Sequence, residues 1–489
     1  MINKDILRKI AQNKIFIYIV SRYGIMGLNF FTSLIIAGKL GPYYFGIYGF
    51  ILLLLSYFAQ LHLGIPNSLN VLLVHNKNNI QKSSAYIINS LFLYVYFAVA
   101  IVIVYILYMI FGFSSIKKFD IDPYLPFVCI IAVLEYINGV FLCVLRIKNR
   151  INLMSFVTSI KTILNLIVVF LFDGVLLINA LVICLVISNV LSITICYWRK
   201  IIPQFRGSIV KRKIQAEILN KGIMLFFYNT CFYFIVISIR SIISSNYSVE
   251  DFGSFTFSYT IVTAVIMLLE AVYTIMFPKI VDLLSSLDYK RIDHTLKIVR
   301  ISYVSTSHML IYMAMIFYPI ITNILMPNYS SSLLSLNLVS LSLLMNANST
   351  GYSTLIIAQN KEKYSAIISI TALILNIILA NILVRIFNVE YSYVIIATMV
   401  TYIYFSFMVV YVGQKIIKSF SWRIMLSHFF PVRLLLPFVS AVVVSLLQIN
   451  YLLWIPFVLY VIFNVNDIKN ILAYAKVIIN NENISDINN

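Results

Sequence analysis

The chain has 489 residues, 61% of them hydrophobic and only 11% charged, and a net charge of +19. Its mean hydropathy is +0.96. A soluble domain carries about 25% charged residues, so the composition excludes a sizeable soluble domain and points to an all-α, polytopic membrane protein. The excess of 36 Lys+Arg over 17 Asp+Glu would raise nucleic acid as a partner in a soluble protein. Here the bases fall in short loops between apolar runs, so membrane topology accounts for them and no nucleic acid is expected.

Residues 1–14, MINKDILRKIAQNK, form a basic, weakly amphipathic arm without a small-residue cleavage site. Fourteen apolar segments follow, near 15–37, 45–74, 85–113, 124–145, 151–172, 175–198, 222–244, 253–278, 301–325, 332–358, 364–386, 391–413, 425–449 and 451–465. A crossing needs about 20 residues, with a range of roughly 17–25, and the fourteenth is short. The basic stretch 199–221 separates six segments (15–198) from the next six (222–413). Two more occupy 425–465, and 466–489 reads as a polar tail. With the N-terminus in the cytoplasm, 28 of the 36 Lys and Arg lie on the cytoplasmic side, 4 opposite and 4 inside segments. This bias places both termini inside. The five cysteines, Cys129, Cys143, Cys184, Cys196 and Cys231, sit in apolar segments without CxxC spacing and read as packing residues. The five histidines show no ligand spacing, so no metal site is expected. No GxxxxGK[ST] occurs; no cofactor is expected, and transport must draw on an ion gradient or the cargo's own gradient.

Five ionisable residues lie deep in apolar segments: Arg22, Glu135, Lys161, Arg240 and Glu270. A charge at the centre of a membrane helix costs about 2.5–3.5 kcal/mol on insertion scales, so such residues tend to line polar pathways. Three are basic, which fits an anionic cargo. Arg22 either faces a cavity or snorkels to cytoplasmic headgroups. Arg240, near an outer end, either guides cargo release or snorkels outward. Lys161 is central in its segment and either serves a cavity or pairs with Glu135. Glu135 and Glu270 either exchange ions as access alternates or act as structural counter-ions. Arg433, near a cytoplasmic end, reads as an anchor. Pro66 and Pro278 follow polar breaks at His62 and Glu270 and are expected as gates or as packing kinks.

The two halves echo each other. Phe45 and Gly46 correspond to Phe252 and Gly253 at an offset of 207. KNR at 148–150 corresponds to QNK at 359–361, and ILNLI at 163–167 to ILNII at 374–378, at an offset of 211. Six segments plus six in the same orientation describe a parallel repeat with a central cavity. LGPYYFGIY after the first segment, LGI at 63–65, FP at 277–278 and LMPNY at 325–329 resemble the multidrug/oligosaccharidyl-lipid/polysaccharide exporter superfamily, particularly its polysaccharide transporter branch. The resemblance covers roughly residues 10–415, and O-antigen flippases are the most similar subgroup. Pro327 and Asn328 depart from the Gly-acidic turn commoner there.

The resemblance implies a flippase of the bacterial inner membrane, not an enzyme. Its cargo would be polyprenyl-pyrophosphate-linked oligosaccharide moved from the cytoplasmic to the outer leaflet. Arg22, Lys161 and Arg240 would then hold pyrophosphate or acidic sugars through charge-assisted hydrogen bonds, with Glu135 and Glu270 coupling an ion. Expected partners are the lipid-linked cargo, membrane lipid, a polysaccharide polymerase and a chain-length regulator. The alternative is a drug/cation antiporter of the same superfamily, for which twelve segments and an acidic cavity are expected. A membrane polymerase or ligase would need a large outer loop, and the longest outer loop, near 114–123, has about ten residues.

Overall fold

The computed structural model describes residues 14–76, 79–112, 117–201, 210–286, 288–417 and 421–470, and these are helical without a strand. Most of the arm at 1–14, part of the basic stretch 199–221 and most of the tail at 466–489 lie outside them. Helices run in chain order as α1 (Lys14–Gln60), α2 (Ile65–His75), α3 (Ile80–Phe111), α4 (Leu125–Ile147), α5 (Ile151–Leu171), α6 (Gly174–Trp198), α7 (Arg212–Asn246), α8 (Val249–Leu284), α9 (Tyr289–Arg300), α10 (Thr306–Ile320), α11 (Leu333–Ala347), α12 (Tyr352–Ala358), α13 (Glu362–Arg385), α14 (Ile396–Ile416), α15 (Trp422–Phe429), α16 (Val432–Leu446) and α17 (Ile455–Phe463). Among the described residues, eleven helical stretches are long and apolar enough to cross a membrane. Shorter apolar helices at Val432–Leu446 and Asn450–Phe463 complete the set.

Two of the expected segments share α1, which bends at Gly41 (φ 64°, ψ 174°) before Pro42. That backbone conformation is open to glycine and costly for other residues. The second segment breaks again at Leu61–Gly64, where Leu63 and Gly64 have φ of 45° and 76°. Pro66 sits in the first turn of the helix that restarts there, where its missing N–H is tolerated. It therefore opens α2 rather than kinking a continuous helix. Pro278 lies within α8; its side chain is outside the described part. The thirteenth segment begins at Val432 instead of 425. Pro431 cannot continue α15 and disfavours helical backbone at Phe430, which is extended (φ −148°, ψ 91°). Residues 422–429 form the separate short helix α15. The seventh helix, in turn, starts at Arg212, inside the stretch read as a linker.

The chain divides into two compact units: residues 27–256, and residues 1–26 with 257–489. In the first, Tyr94 stacks on Tyr136 at 4.9 Å within a core of α2, α3, α4 and α6 side chains. Phe119, between α3 and α4, is fully buried and stacks on Phe50 at 4.1 Å. In the second unit, α11 is buried on nearly all sides. Its serines join it to neighbours: Ser340 Oγ to Tyr318 Oη at 2.8 Å, and Ser342 Oγ donating to the Ile395 carbonyl at 3.3 Å. Small hydroxyl residues at helix contacts are the usual means of tight association in a bilayer.

The internal repeat is visible in the backbone. Asn149 and Asn360, equivalent at offset 211, both adopt left-handed backbone with φ of 54° and 52°. The N–H of Arg150 bonds the carbonyl of Leu145, and that of Lys361 bonds Ile356, both at 2.9 Å. Each pair closes the same helix-ending turn. At the other match, Gly46 and Gly253 lie side by side where α1 crosses α8. A Cβ built on Gly253 would stand 3.0 Å from the Gly46 nitrogen.

Candidate functional site

Helices α4, α5 and α6 contact one another and enclose a cavity of about 290 Å³. Glu135, Asn138, Gly139 and Leu142 line it from α4, spaced at three and four residues so that they share one face. Thr158 and Lys161 line it from α5, and Ser188, Asn189 and Ser192 from α6. The polar lining is cross-linked. Asn138 Nδ2 donates to Asn189 Oδ1 at 2.6 Å, Asn189 Nδ2 to the Leu185 carbonyl at 2.8 Å, and Ser192 Oγ to the Val157 carbonyl at 3.3 Å. These bonds tie α4 to α6 and α6 to α5.

Glu135 and Lys161 face this cavity together, yet they do not close on each other. The ion pairs within 4.0 Å among the described residues are Lys39–Asp173 at 2.9 Å and Arg433–Asp467 at 2.6 Å. Glu135 is half-buried and Lys161 exposed, and the two lie within electrostatic reach of each other. Asn138 Oδ1 is buried and accepts no hydrogen bond among the described residues. The cavity thus offers an ammonium for an anion, a carboxylate that can carry a proton or cation, and an amide oxygen awaiting a donor. In a low-dielectric surrounding, charges held apart in this way cost free energy unless something binds them.

The other residues singled out in the sequence lie elsewhere. Arg240 is buried, 7% exposed. Its Nη2 donates to the Gly49 carbonyl at 3.2 Å, and its guanidinium sits 5.9 Å from the Phe252 ring centre. From α7 it therefore reaches Gly49 of α1 and Phe252 of α8, beside the crossing of those two helices. Glu270 is exposed on α8, within electrostatic reach of Tyr303. Arg22 lies in α1, its side chain outside the described part. The next residue, Tyr23, donates from Oη to the Leu268 carbonyl at 2.6 Å, which sets this turn of α1 beside the turn bearing Glu270. Arg433 is no simple anchor: it pairs with Asp467, which is only 2% exposed.

Asn138, Thr158, Ser188, Asn189 and Ser192 were not foreseen as site residues. Their signal was present as polar residues three apart in three consecutive apolar segments: Glu135 with Asn138, Thr158 with Lys161, Asn189 with Ser192. Arg300 was also not singled out in the sequence. It donates to the carbonyls of Asn348 (2.8 Å), Thr350 (3.4 Å) and His428.

No protein-family model matches the sequence, and no curated protein matches it. Solved structures do. The inward closed conformation of the lipid II flippase MurJ superposes with a TM-score of 0.69 at 14% identity, covering 95% of this chain and 100% of that one. An inward-facing multidrug resistance MATE transporter of the MOP superfamily gives 0.63 at 14% identity, covering 82% and 98%. An outward-facing one gives 0.58 at 14% identity, covering 84% and 98%. The fold is the one shared by MATE transporters and MurJ. Helices α4, α5 and α6 are among the stretches long and apolar enough to cross a membrane.

Proposed function

We propose that this protein is a flippase that moves polyprenyl-pyrophosphate-linked oligosaccharide from the cytoplasmic to the outer leaflet of a bacterial inner membrane. It works by alternating access and draws on an ion gradient, without an enzymatic step. The observation that carries this reading is the cavity lined by both Lys161 and Glu135, which form no ion pair within 4.0 Å among the described residues. Lys161 holds the anionic part of the cargo, with Arg22 as a second cation, and Glu135 carries the coupling ion, with Glu270 as a second carrier. Arg240 acts through packing at the α1–α8 crossing, where its hydrogen bond and ring contact lie. A MurJ-type fold that takes in 95% of the chain supports a lipid-linked cargo. A polymerase and a chain-length regulator are the partners expected to use the flipped product.

The test is display of surface polysaccharide in a strain lacking the protein and complemented with variants at equal membrane levels. Lys161→Ala and Glu135→Gln are each expected to reduce display at least tenfold. The exchanged pair Glu135→Lys with Lys161→Glu is expected to stay inactive, because the two groups have different roles. Recovery in the exchanged pair would mean a structural ion pair and would overturn the assignment.

A drug/cation antiporter is the second reading, supported by the likeness to MATE transporters and by the carboxylate in the cavity. Efflux of cationic dyes from vesicles separates the two. Dye efflux that depends on Glu135, with surface polysaccharide unaffected, would replace the flippase reading.

A further inference from the structure

The second unit holds another cavity, of about 410 Å³, between α9, the segment joining α15 to α16, and the residues after α17. Its volume falls within the roughly 300–1,000 Å³ of small-molecule sites. Its apolar lining comes from Leu296, Ile301, Val304 and Leu434. The lining also carries the charged Asp293, Lys297, Arg300, Arg433 and Asp467, together with His428. Basic pockets between membrane helices on the cytoplasmic side are a recurrent form of lipid-headgroup site, and the distribution of Lys and Arg puts this end of α9 on that side.

Two features specify the chemistry of an occupant. Asp467 is 2% exposed and spends Oδ1 on Arg433, while Oδ2 is buried and meets no hydrogen-bond partner among the described residues. A buried carboxylate oxygen calls for a donor. Across the lining, Lys297 is exposed, with no ion-pair partner within 4.0 Å among the described residues, and the Arg433 side chain is 40% exposed. These cations call for an anionic acceptor. Arg300 adds positive charge while its own donors are held by the carbonyls of Asn348, Thr350 and His428. A π-turn at Ile301–Ser305 follows Arg300 directly; such turns recur at functional sites.

An ammonium and a phosphate joined to acyl chains meet all these demands. We propose that this cavity binds the headgroup of an aminophospholipid of the cytoplasmic leaflet, with its phosphate on Lys297 and Arg433, its ammonium on Asp467 and its first chain carbons against Leu296 and Leu434. The site is separate from the cavity of α4, α5 and α6, and its test reads no transport.

The full-length protein, purified in detergent, is titrated with short-chain phosphatidylethanolamine, with phosphatidylglycerol of the same chains, and with inorganic phosphate. Binding is read by native mass spectrometry and by thermal unfolding. Phosphatidylethanolamine is expected to bind saturably and at least tenfold tighter than phosphatidylglycerol. Lys297→Gln, a change at an exposed side chain that leaves folding intact, is expected to weaken both lipids about tenfold. Asp467→Asn is expected to erase the preference for the amine. Equal affinity for the two lipids, or no effect of Lys297→Gln, would overturn the proposal. Inorganic phosphate that binds as tightly as the lipid would also overturn it, in favour of a free-phosphate site. If Asp467→Asn does not fold, the lipid preference of the unmodified protein and the effect of Lys297→Gln decide alone.

Discussion

Replacing Gly253 with alanine should damage the fold where the two repeats meet. The added Cβ would stand 1.9 Å from the Pro42 carbonyl oxygen, 2.8 Å from its carbon and 3.0 Å from the Gly46 nitrogen. Ordinary contact begins at 3.4 Å, so α1 and α8 would have to part by 1.5 Å, the difference between 3.4 and 1.9 Å. All three obstacles are backbone atoms, which no rotamer change moves aside. Parting the helices by that distance also loosens the neighbouring contacts of Gly46 with Val249 and of Gly49 with Thr256. A gap of 0.5–1 Å already forfeits about a quarter to a half of each atom pair's attraction. Overpacking of this kind costs about 1–3 kcal/mol or more, against a gain of about 1 kcal/mol for Ala over Gly inside a helix. The net loss should reach about 2 kcal/mol, roughly a thirtyfold shift in the folding equilibrium. Gly27→Ala is the matched control. It lies in α1, and an added Cβ there meets nothing within 4 Å, so the helix gain stands unopposed. Thermal unfolding of both variants in detergent, with size-exclusion profiles, measures the contrast. A Gly253→Ala protein as stable as Gly27→Ala would refute the close crossing.

Glu135→Gln and Lys161→Gln should each leave the unfolding midpoint within about 1 kcal/mol of the parent, since neither side chain closes an ion pair; a larger loss would show that they hold the fold together. Arg240→Ala should instead cost about 2 kcal/mol by removing a charged hydrogen bond to the Gly49 carbonyl, lowering the amount of folded protein and leaving transport per molecule unchanged. Arg433→Ala strands the buried Asp467 and should cost about 1–3 kcal/mol, less than the ~3–5 of a fully buried pair because Arg433 is partly exposed; Asp467→Asn, which removes the stranded charge, should restore part of that loss in the double variant. In α15, burial, joined by the Arg300 cation, holds the His428 imidazole below its usual 6.5, with Asp293 opposing. The unfolded chain therefore takes up this proton first as pH falls, so stability should drop from pH 6.5 down to the folded value and level off beneath it. His428→Asn should show a smaller loss of unfolding midpoint between pH 7.5 and 5.5; equal losses would remove His428 as the cause.

Much of the fold could be read from hydropathy, because a membrane helix must satisfy its backbone internally and therefore announces itself as a long apolar run. The misplacements came where backbone conformation decides the boundary. Residues 422–429 are apolar enough to extend the thirteenth segment, yet Pro431 ends their helix. Residues 212–221 are basic enough to read as a loop, yet they form the first turns of α7, where Ser68 Oγ donates to the Ile218 carbonyl. The site was half legible. Lys161 and Glu135 stood out as charges in apolar segments, but the distance between them depends on how α4 and α5 pack, which composition does not encode. Arg240 stood out on the same ground, and the structure sets it against the Gly49 carbonyl and the Phe252 ring. The cost of burying a guanidinium is met equally well by a carbonyl and an aromatic ring as by a cargo.

The repeat shows why Lys161 has no charged counterpart at the equivalent position of the other half. Backbone features survive in both copies: the turns at Asn149 and Asn360, and the glycines at the α1–α8 crossing. These are positions where geometry admits few substitutes. Side chains facing a cavity are under no such constraint. Lys161, exposed to its cavity, corresponds to Ala372, which is fully buried in the other copy. An alanine packed against its neighbours leaves no room for a lysine, and a lysine at the centre of a membrane helix is tolerated only where polar groups or water meet it. The same helix position thus became packing in one half and a charged wall in the other. A symmetric pair of cavities would suit a symmetric cargo. Under the flippase reading proposed above, a cargo with pyrophosphate at one end and sugars at the other gives no reason for a matching lysine in the second half.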